Sequence, residues 1–324
     1  MSNSRQTVSP ALTLLVPCYN EEAVIPVLLK RLAGLMDTLD ASVRVLFIDD
    51  GSRDSTETQL KEACARDPRL GYVRFSRNFG HQAAVSAGLR LATGDAVAVL
   101  DADLQDPPEL IGQMLAKWRE GYDVIYGIRE KRKEPLLLRL AYAVFYRMLR
   151  KMANVDIPLD AGDFCLMDRN VVDEISRLPE HNRFIRGLRS WVGFKQCGLT
   201  YDRQARQGGA SKYTTAKLFR LAMDGLIPFS IVPLRLASWM GSLAALGGFL
   251  YAFGAVVYKL WVGQTPPGWA SLVAALVFLG GLQLLVLGII GEYLGRVFDE
   301  VRGRPDYILA DRAGWVTPPQ AENG

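Results

Sequence analysis

The chain has 324 residues, enough for one large domain with an appendage or for two modest domains. Its formal net charge of +4 is too small to indicate a nucleic-acid partner. None of its four cysteines stands at C-x-x-C spacing, which excludes the usual zinc and redox motifs and favours free thiols in a reducing compartment.

Strands and helices alternate along the first part of the chain. Residues 1–10 are polar and lack the apolar core of a signal peptide, so we expect this part to stay in the cytosol. Short β-branched runs predict strands, and periodic apolar patterns predict helices between them. The strands are predicted at 12–17, 43–49, 72–75, 96–100 and 124–126, and the helices at 21–39, 55–66, 82–92 and 107–120. The pattern predicts an α/β fold with a doubly wound, mostly parallel sheet.

Carboxylates follow the predicted strands. Asp49 and Asp50 follow the second strand, Asp101 and Asp103 follow the fourth, and Glu21 follows the first. Ligands of such sheets bind at the carboxyl ends of the strands. Clustered carboxylates suit Mg²⁺ or Mn²⁺, and a divalent cation can neutralise a pyrophosphate leaving group. The chain lacks a G-x-G-x-x-G fingerprint after the first strand and a P-loop motif, which disfavours those nucleotide sites.

Helix capping is an alternative explanation for some of the polar residues that follow the strands. Asn20 and Asp54 precede predicted helices and have side chains that commonly cap them. Capping does not account for the four aspartates that end the second and fourth strands, so a ligand site remains the better interpretation.

Basic residues follow the fifth predicted strand. The run Arg129–Lys133 contains Arg129, Arg132 and Lys133, and guanidinium groups bind phosphate oxygens well. A solvated charge run is the alternative. Residues 135–155 and 214–229 mix apolar and basic side chains, a pattern that fits an ordinary soluble helix as well as a helix lying in a membrane surface. Tethering by the transmembrane spans predicted below favours the membrane surface.

Two uncharged stretches near the C-terminus predict transmembrane helices. Residues 236–258 and 269–291 each contain 23 residues without a charge, and a bilayer core needs about 20. Basic residues flank the pair, whereas the connecting loop carries only Lys259, so both termini are predicted in the cytosol. We therefore divide the chain into a cytosolic domain (1–230), a transmembrane hairpin (231–296) and a cytosolic tail (297–324).

Several blocks resemble family 2 glycosyltransferases, which have the GT-A fold. They are VPCYNEE (Val16–Glu22), DDGSRD (Asp49–Asp54) and DADLQDPPE (Asp101–Glu109). RNFGHQAA (Arg77–Ala84), QGGASKY (Gln207–Tyr213) and the ending GEYLGRVFDEVRGRPDYI (Gly291–Ile308) are similar to polyprenyl-phosphate glycosyltransferases, relatives of dolichol-phosphate mannose synthase with two C-terminal spans in bacteria. The resemblance covers about residues 12 to 308.

The resemblance implies roles for individual residues. Asp103 and Asp163 would be catalytic, with Asp163 as the candidate base. The nucleotide would be held by Pro17, Tyr19, Glu21, Asp50 and Asp101, and the metal and diphosphate by Asp101, Asp103 and Gln105. Phosphates of donor or lipid would meet Arg129, Arg203, Arg206, Ser211 and Lys212. His81 departs from the acidic residue or lysine often found nearby in relatives, and we expect it to be an ordinary solvated side chain.

The resemblance further implies that a sugar is transferred with inversion to undecaprenyl phosphate at the bacterial inner membrane. The expected donor is UDP-glucose or a related UDP-sugar. A phosphate monoester has its second pKa near ~6 and is already nucleophilic at pH 7. We therefore expect Asp163 to orient groups and balance arginine charge rather than act as a strong base. Oligomeric state is left open, with a homotetramer as one option.

Two other functions are weighed against this one. A processive polysaccharide synthase would need more spans to form a channel, and the chain contains no Q-x-x-R-W motif. A non-catalytic membrane scaffold would have no need for intact Asp50, Asp101, Asp103 and Asp163. Both alternatives are therefore less favoured than the transferase.

Overall fold

A computed structural model describes residues 9–130, 161–181, 183–202, 232–262 and 268–316. The chain divides into two compact units. The first contains residues 1–150, 155–213 and 305–324, and the second contains residues 151–154 and 214–304.

An eight-stranded mixed sheet forms the centre of the first unit. Its spatial order is β7-β5-β6-β4-β1-β2-β3-β8. Strands β1 to β4 are mutually parallel, as are β5 and β7, whereas β6 runs antiparallel to both of its neighbours and β8 runs antiparallel to β3. The strands are β1 (Ala11–Cys18), β2 (Ser42–Asp49), β3 (Leu70–Phe75), β4 (Ala96–Val99), β5 (Val124–Glu130), β6 (Ala161–Asp168), β7 (Gln196–Asp202) and β8 (Leu309–Gly314). The predicted α/β fold with a mostly parallel sheet is confirmed.

Among the described residues, six helices of the first unit connect these strands. They are α1 (Ile25–Thr38), α2 (Thr56–Arg66), α3 (His81–Leu91), α4 (Leu110–Arg119), α5 (Arg169–Arg177) and α6 (Ile185–Trp191). The apolar spacing of Leu28, Leu32 and Leu35 gives α1 one buried face. The central strand β1 is buried along almost its whole length, as expected for a parallel strand whose two faces are covered.

The strand β8 comes from the chain segment that follows the second apolar stretch. It pairs with β3 and forms one edge of the sheet, and its burial alternates between partly buried and exposed residues. The indole of Trp315 donates hydrogen bonds to the carbonyls of Val45 and Arg69, which ties the end of the tail to the sheet. Part of the segment predicted as a tail is therefore an edge strand of the first unit.

Two long helices dominate the second unit, α7 (Val232–Val262) and α8 (Trp269–Arg302). By length and composition, Ala237–Trp261 and Ser271–Arg302 can each cross a membrane. Large apolar side chains along them, such as Phe249 and Leu284, are exposed, unlike those of a core helix in a soluble protein. Helix α8 continues beyond the predicted span and ends at Gly303, whose φ of +60° suits a glycine cap. The proposed surface helices at 135–155 and 214–229 lie outside the described residues.

Candidate active site

The carboxyl ends of β1, β2 and β4 meet at one edge of the sheet, because these neighbouring strands are parallel. The three acidic motifs follow these strand ends. The structure therefore brings the predicted nucleotide and metal residues to a common edge, in agreement with the rule for doubly wound sheets.

The loop after β1 is joined to the loop after β2 by hydrogen bonds. The backbone N–H of Asn20 donates to Ser52 Oγ at 2.9 Å, and its side-chain Oδ1 accepts from the Arg53 N–H at 2.8 Å. Asn20 therefore does not cap the following helix, contrary to the capping alternative. Pro17 is buried within β1, whereas Tyr19 is 41% exposed and open to a ligand.

Two further contacts complete this connection. The Glu21 N–H donates to Thr56 Oγ1 at 2.9 Å, and the Glu22 N–H donates to Asp54 Oδ2 at 3.2 Å. Asp54 also accepts from the Thr56 N–H at the start of α2, but the N-cap position of this helix is Ser55, whose side chain makes no capping hydrogen bond. Asp54 therefore contacts the first turn without occupying the N-cap position.

Asp49 and Asp50 have different surroundings. Asp49 is fully buried and accepts hydrogen bonds from Ser52 and from the Tyr72 hydroxyl, so it supports the turn. Asp50 accepts the backbone N–H groups of Phe79 at 2.6 Å and Gly80 at 2.9 Å. Burial raises the pKa of Asp50, and these two hydrogen bonds oppose the shift. Asp50 therefore fixes the segment that leads into α3, and its predicted contact with the nucleotide stays a prediction.

The segment after β4 has an unusual backbone. Leu104 has φ of +57°, a conformation that costs a non-glycine residue energy and that clusters at functional sites. The Gln105 N–H donates to Asp103 Oδ1 at 3.1 Å, so Asp103 and Gln105 are adjacent. The buried Asp106 is bonded to the Tyr201 hydroxyl, which anchors the segment on β7.

Asp101 lies among other acidic groups. Burial raises the pKa of Asp101 to about 6, and the negative charges of Asp163, Asp106 and Asp103 add to the shift while His81 opposes it. Uncompensated negative charge of this kind would be relieved by a divalent cation. No group of three or more His, Cys, Asp or Glu placed to hold a metal occurs among the described residues. Carboxylate oxygens suit Mg²⁺ or Mn²⁺, so Asp101 and Asp103 are the residues that would hold such an ion.

Asp163, on β6, is held by side chains from two different helices. Arg186 of α6 forms a bidentate pair with it, Nε to Oδ1 at 2.7 Å and Nη2 to Oδ2 at 3.0 Å. His81, the first residue of α3, brings Nε2 to 3.2 Å from Asp163 Oδ2 and to 3.8 Å from Asp101 Oδ1. His81 is 43% exposed, as expected of a solvated histidine, but it is not an ordinary surface side chain, because it contacts two predicted site residues.

These contacts keep Asp163 ionised. Burial alone would raise the pKa of Asp163, but the hydrogen bond with His81 and the charge and hydrogen bonds of Arg186 hold it well below its usual range. Burial likewise opposes the charged form of His81, but the hydrogen bond with Asp163 and the charge of Asp101 raise its pKa. A carboxylate with a depressed pKa is a weak proton acceptor.

Most of the predicted phosphate-binding residues lie outside the part of the chain that the structure describes. Arg129 is on β5, where it pairs with Tyr201 of β7. The others lie outside the described residues: Arg132, Lys133, Arg203, Arg206, Ser211 and Lys212.

Sequence reasoning missed Arg186 as a site residue. It is separated from Asp163 by 23 residues, and only the packing of α6 against β6 brings the two together. The sequence signal that could have found it is a second arginine-rich segment, RFIRGLR (183–189), after the DAGDF block.

Comparison with known proteins assigns a family. The family described as "Glycosyl transferase family 2" matches residues 13–176, and the family described as "GtrB C-terminal hairpin" matches residues 232–297. The uncharacterised glycosyltransferase YkcC of Bacillus subtilis (strain 168) is 48% identical over 93% of this chain and 94% of its own length. The bactoprenol glucosyl transferase of Shigella phage SfII is 40% identical over 92% of this chain and 97% of its own length.

A third relative is also similar over nearly the whole chain. The prophage bactoprenol glucosyl transferase homolog of Escherichia coli (strain K12) is 38% identical over 92% of this chain and 98% of its own length. The resemblance drawn from the motifs is thus confirmed. The chain belongs to glycosyl transferase family 2, and it is a glycosyltransferase that joins a GT-A-like domain to a GtrB-type C-terminal hairpin.

Proposed function

We propose that the protein transfers a sugar from a nucleotide sugar to polyprenyl phosphate, with inversion at the anomeric carbon. The donor that we propose first is UDP-glucose. The observation that carries the proposal is the similarity over nearly the whole chain to bactoprenol glucosyl transferases, hairpin included. The product is a polyprenyl-phosphate sugar for the cell envelope. The protein acts in the bacterial inner membrane, with its active site and both termini in the cytosol.

The acidic edge of the sheet supports a nucleotide diphosphate as donor. Tyr19 is exposed beside the polar loops that follow β1 and β2, where it can contact a nucleotide. Asp101, Asp103 and Gln105 would hold Mg²⁺ or Mn²⁺ together with the diphosphate. When bound, the ion stabilises the negative charge that develops on the departing diphosphate.

The reaction exchanges one bond at the anomeric carbon for another. An oxygen of the lipid phosphate attacks the anomeric carbon, the bond from that carbon to the donor diphosphate breaks, and the nucleoside diphosphate leaves on the opposite face. The lipid phosphate is mostly dianionic at pH 7, since its second pKa is near ~6, so the attacking oxygen carries no proton to remove. A strong general base is therefore unnecessary.

Asp163 is assigned an orienting role in this reaction. Its carboxylate is engaged by Arg186 and His81, and its depressed pKa makes it a poor base. We infer that Asp163 fixes the Arg186 guanidinium and the His81 imidazole beside the reacting groups. Preorganised charges of this kind stabilise a transition state without reorganisation at the moment of reaction.

The two apolar helices support a lipid acceptor. A chain held in the bilayer meets a lipid phosphate at a fixed height, which raises the effective concentration of the acceptor. The basic residues predicted to meet phosphate, among them Arg129, Arg132 and Lys133, would complete the acceptor site.

A donor panel tests the proposal directly. The purified full chain is incubated with undecaprenyl phosphate, Mg²⁺ or Mn²⁺ and one of several nucleotide sugars, and the lipid is analysed by mass spectrometry. We expect a mass increase of one hexose with UDP-glucose. Formation of glycolipids with several sugars on one lipid, or no lipid product with any donor, would contradict the proposed function.

A further inference from the structure

The two side chains that hold Asp163 belong to helices that are themselves joined. His81 is the first residue of α3, and Arg186 is the second residue of α6. The side chain of Gln82, on α3, accepts the backbone N–H of Ile185 at the start of α6 at 3.0 Å. The geometry around Asp163 therefore depends on how α3 and the segment leading into α6 are fixed relative to each other.

Asp306 makes a second connection between the same two elements. Its Oδ1 is 2.8 Å from Nδ1 of His181, which lies four residues before α6, and its Oδ2 is 3.5 Å from Nη2 of Arg90 near the end of α3. The Asp306 side chain is only 10% exposed. Because the carboxylate is shielded from water while Arg90 and His181 are only partly exposed, these contacts are screened less than those of a fully exposed pair.

Local charge makes the carboxylate of Asp306 necessary for this connection. Arg183 is buried beside it, and burial together with the charge of Arg90 lowers the pKa of Arg183 while Asp306 opposes the shift. Without the carboxylate, the positive charges of the partly exposed Arg90 and of the buried Arg183 would no longer be offset by Asp306. Loss of this charge is therefore expected to separate α3 from the segment before α6.

The next residue of the tail contacts the end of β3, just before the segment that leads into α3. The ring of Tyr307 stacks on Phe75 at 5.0 Å, and Phe75 meets the edge of Phe79 at 5.8 Å. Phe79 donates its backbone N–H to Asp50, and His81 follows two residues later. The tail thus contacts the segment before His81 as well as the far end of the helix that His81 begins.

We propose that Asp306, supported by Tyr307, is a positioning residue that keeps His81 and Arg186 in register around Asp163. The inference rests on the orienting role proposed for Asp163. Asp306 lies four residues after α8 ends, so the positioning contact is made where the chain leaves its second apolar helix.

The chain has only two histidines, which gives the test a direct spectroscopic readout. The full chain is labelled with ¹⁵N-histidine in detergent, and the ring signals are assigned with the His181→Asn variant. Asp306→Asn is then compared with wild type for the ring signals of His81 and for kcat with UDP-glucose and undecaprenyl phosphate. We expect shifted His81 signals, a kcat lower by about tenfold and a donor KM close to that of wild type.

Asp311→Asn is the matched control. Asp311 is on the same tail and pairs with Lys61, away from α3 and from the segment before α6. We expect it to leave both kcat and the His81 signals unchanged. An Asp306→Asn protein with wild-type kcat, or with unchanged His81 signals, would overturn the proposal.

A second pair of variants keeps the proposal testable if Asp306→Asn does not fold. The amide of His181→Asn can replace the Nδ1 contact with Asp306, whereas His181→Leu cannot. We expect the asparagine variant to retain most of the activity and the leucine variant to lose it. Equal kcat values for the two variants would overturn the proposal. If wild type transfers no sugar to the lipid, the proposed acceptor is wrong, and the His81 ring signals of Asp306→Asn alone then decide whether Asp306 positions His81.

Discussion

At the scale of single residues, the arrangement around Asp163 decides how the site works. A carboxylate meant to accept a proton is usually desolvated and left without strong donors, which raises its pKa. Asp163 is desolvated, but it receives two hydrogen bonds from Arg186 and one contact from His81. The three side chains are therefore expected to act as one unit.

A double-mutant cycle tests whether these side chains act together. We expect Asp163→Asn and Arg186→Met each to lower kcat by roughly 10²-fold, since a displacement of about 1 Å at a reacting centre has effects of that size. The double variant should be no slower than the slower single variant, because both changes remove the same interaction.

The control for the cycle is Arg177→Met, which removes an exposed arginine paired with Glu174 on α5. It should leave kcat near the wild-type value. Single effects that multiply in the double variant would show that Asp163 and Arg186 act independently and would contradict the orienting role.

The sequence alone was enough to predict the site residues that come directly after a strand. Asp50, Asp101 and Asp103 could be assigned to one edge because the alternation of strands and helices fixes where parallel strands end. The partners His81 and Arg186 could not be assigned, because their contacts with Asp163 depend on tertiary packing between elements far apart in the chain.

At the scale of elements, α3, the helix that begins with His81, packs closely on the sheet. A Cβ added at Gly88 would lie 2.0 Å from Cδ1 of Leu15, a fully buried residue of β1. Glycine at this position lets α3 approach the sheet closely. At the exposed Gly34 in α1, by contrast, an added Cβ would meet nothing within 4 Å.

These two glycines give a matched prediction of stability. Gly88→Ala should destabilise the first unit by about 1–3 kcal/mol, because the fully buried Leu15 side chain would have to shift. Gly34→Ala should stabilise it by about 0.5–1 kcal/mol, because alanine loses less conformational entropy in a helix. Thermal unfolding in detergent should give a lower Tm for the first variant and a higher Tm for the second, and equal Tm values would contradict the packing argument.

Prediction of elements was accurate where a run of buried apolar residues marks the element. The first five strands and first four helices were found within a few residues of their ends. The strand β8 (LADRAG) was missed because it is half-exposed and lacks an apolar run, so its pairing with β3 provides its stabilisation. The strand β6 contains Asp163 and Asp168 and runs antiparallel between β4 and β5, an insertion that local pattern does not reveal.

At the scale of the whole molecule, the chain leaves the first unit, forms two apolar helices and returns to the sheet as β8. The helices are therefore an insertion within the first unit rather than an appendage at its end. Removal of everything after residue 231 would also remove β8 and the contacts of Asp306 and Tyr307.

This connectivity predicts different outcomes for two deletions. A variant in which a flexible polar linker replaces residues 232–302 should keep β8, bind nucleotide and no longer be an integral membrane protein. Its transfer to undecaprenyl phosphate in vesicles should fall by about 10²-fold or more, because the acceptor is no longer held nearby. A chain truncated after residue 231 should in addition have a lower Tm, and wild-type transfer by the linker variant would show that the helices do not serve the reaction.

The central claim is that Asp101 and Asp103 bind a divalent cation together with the donor diphosphate. Electron paramagnetic resonance of Mn²⁺ titrated with the full chain and UDP measures this directly. We expect wild type and Glu109→Gln, which alters only an exposed ion pair with Arg31, to take up Mn²⁺ when UDP is present, and Asp103→Asn to fail. Uptake by Asp103→Asn equal to that of wild type, or no uptake by wild type, would contradict the claim.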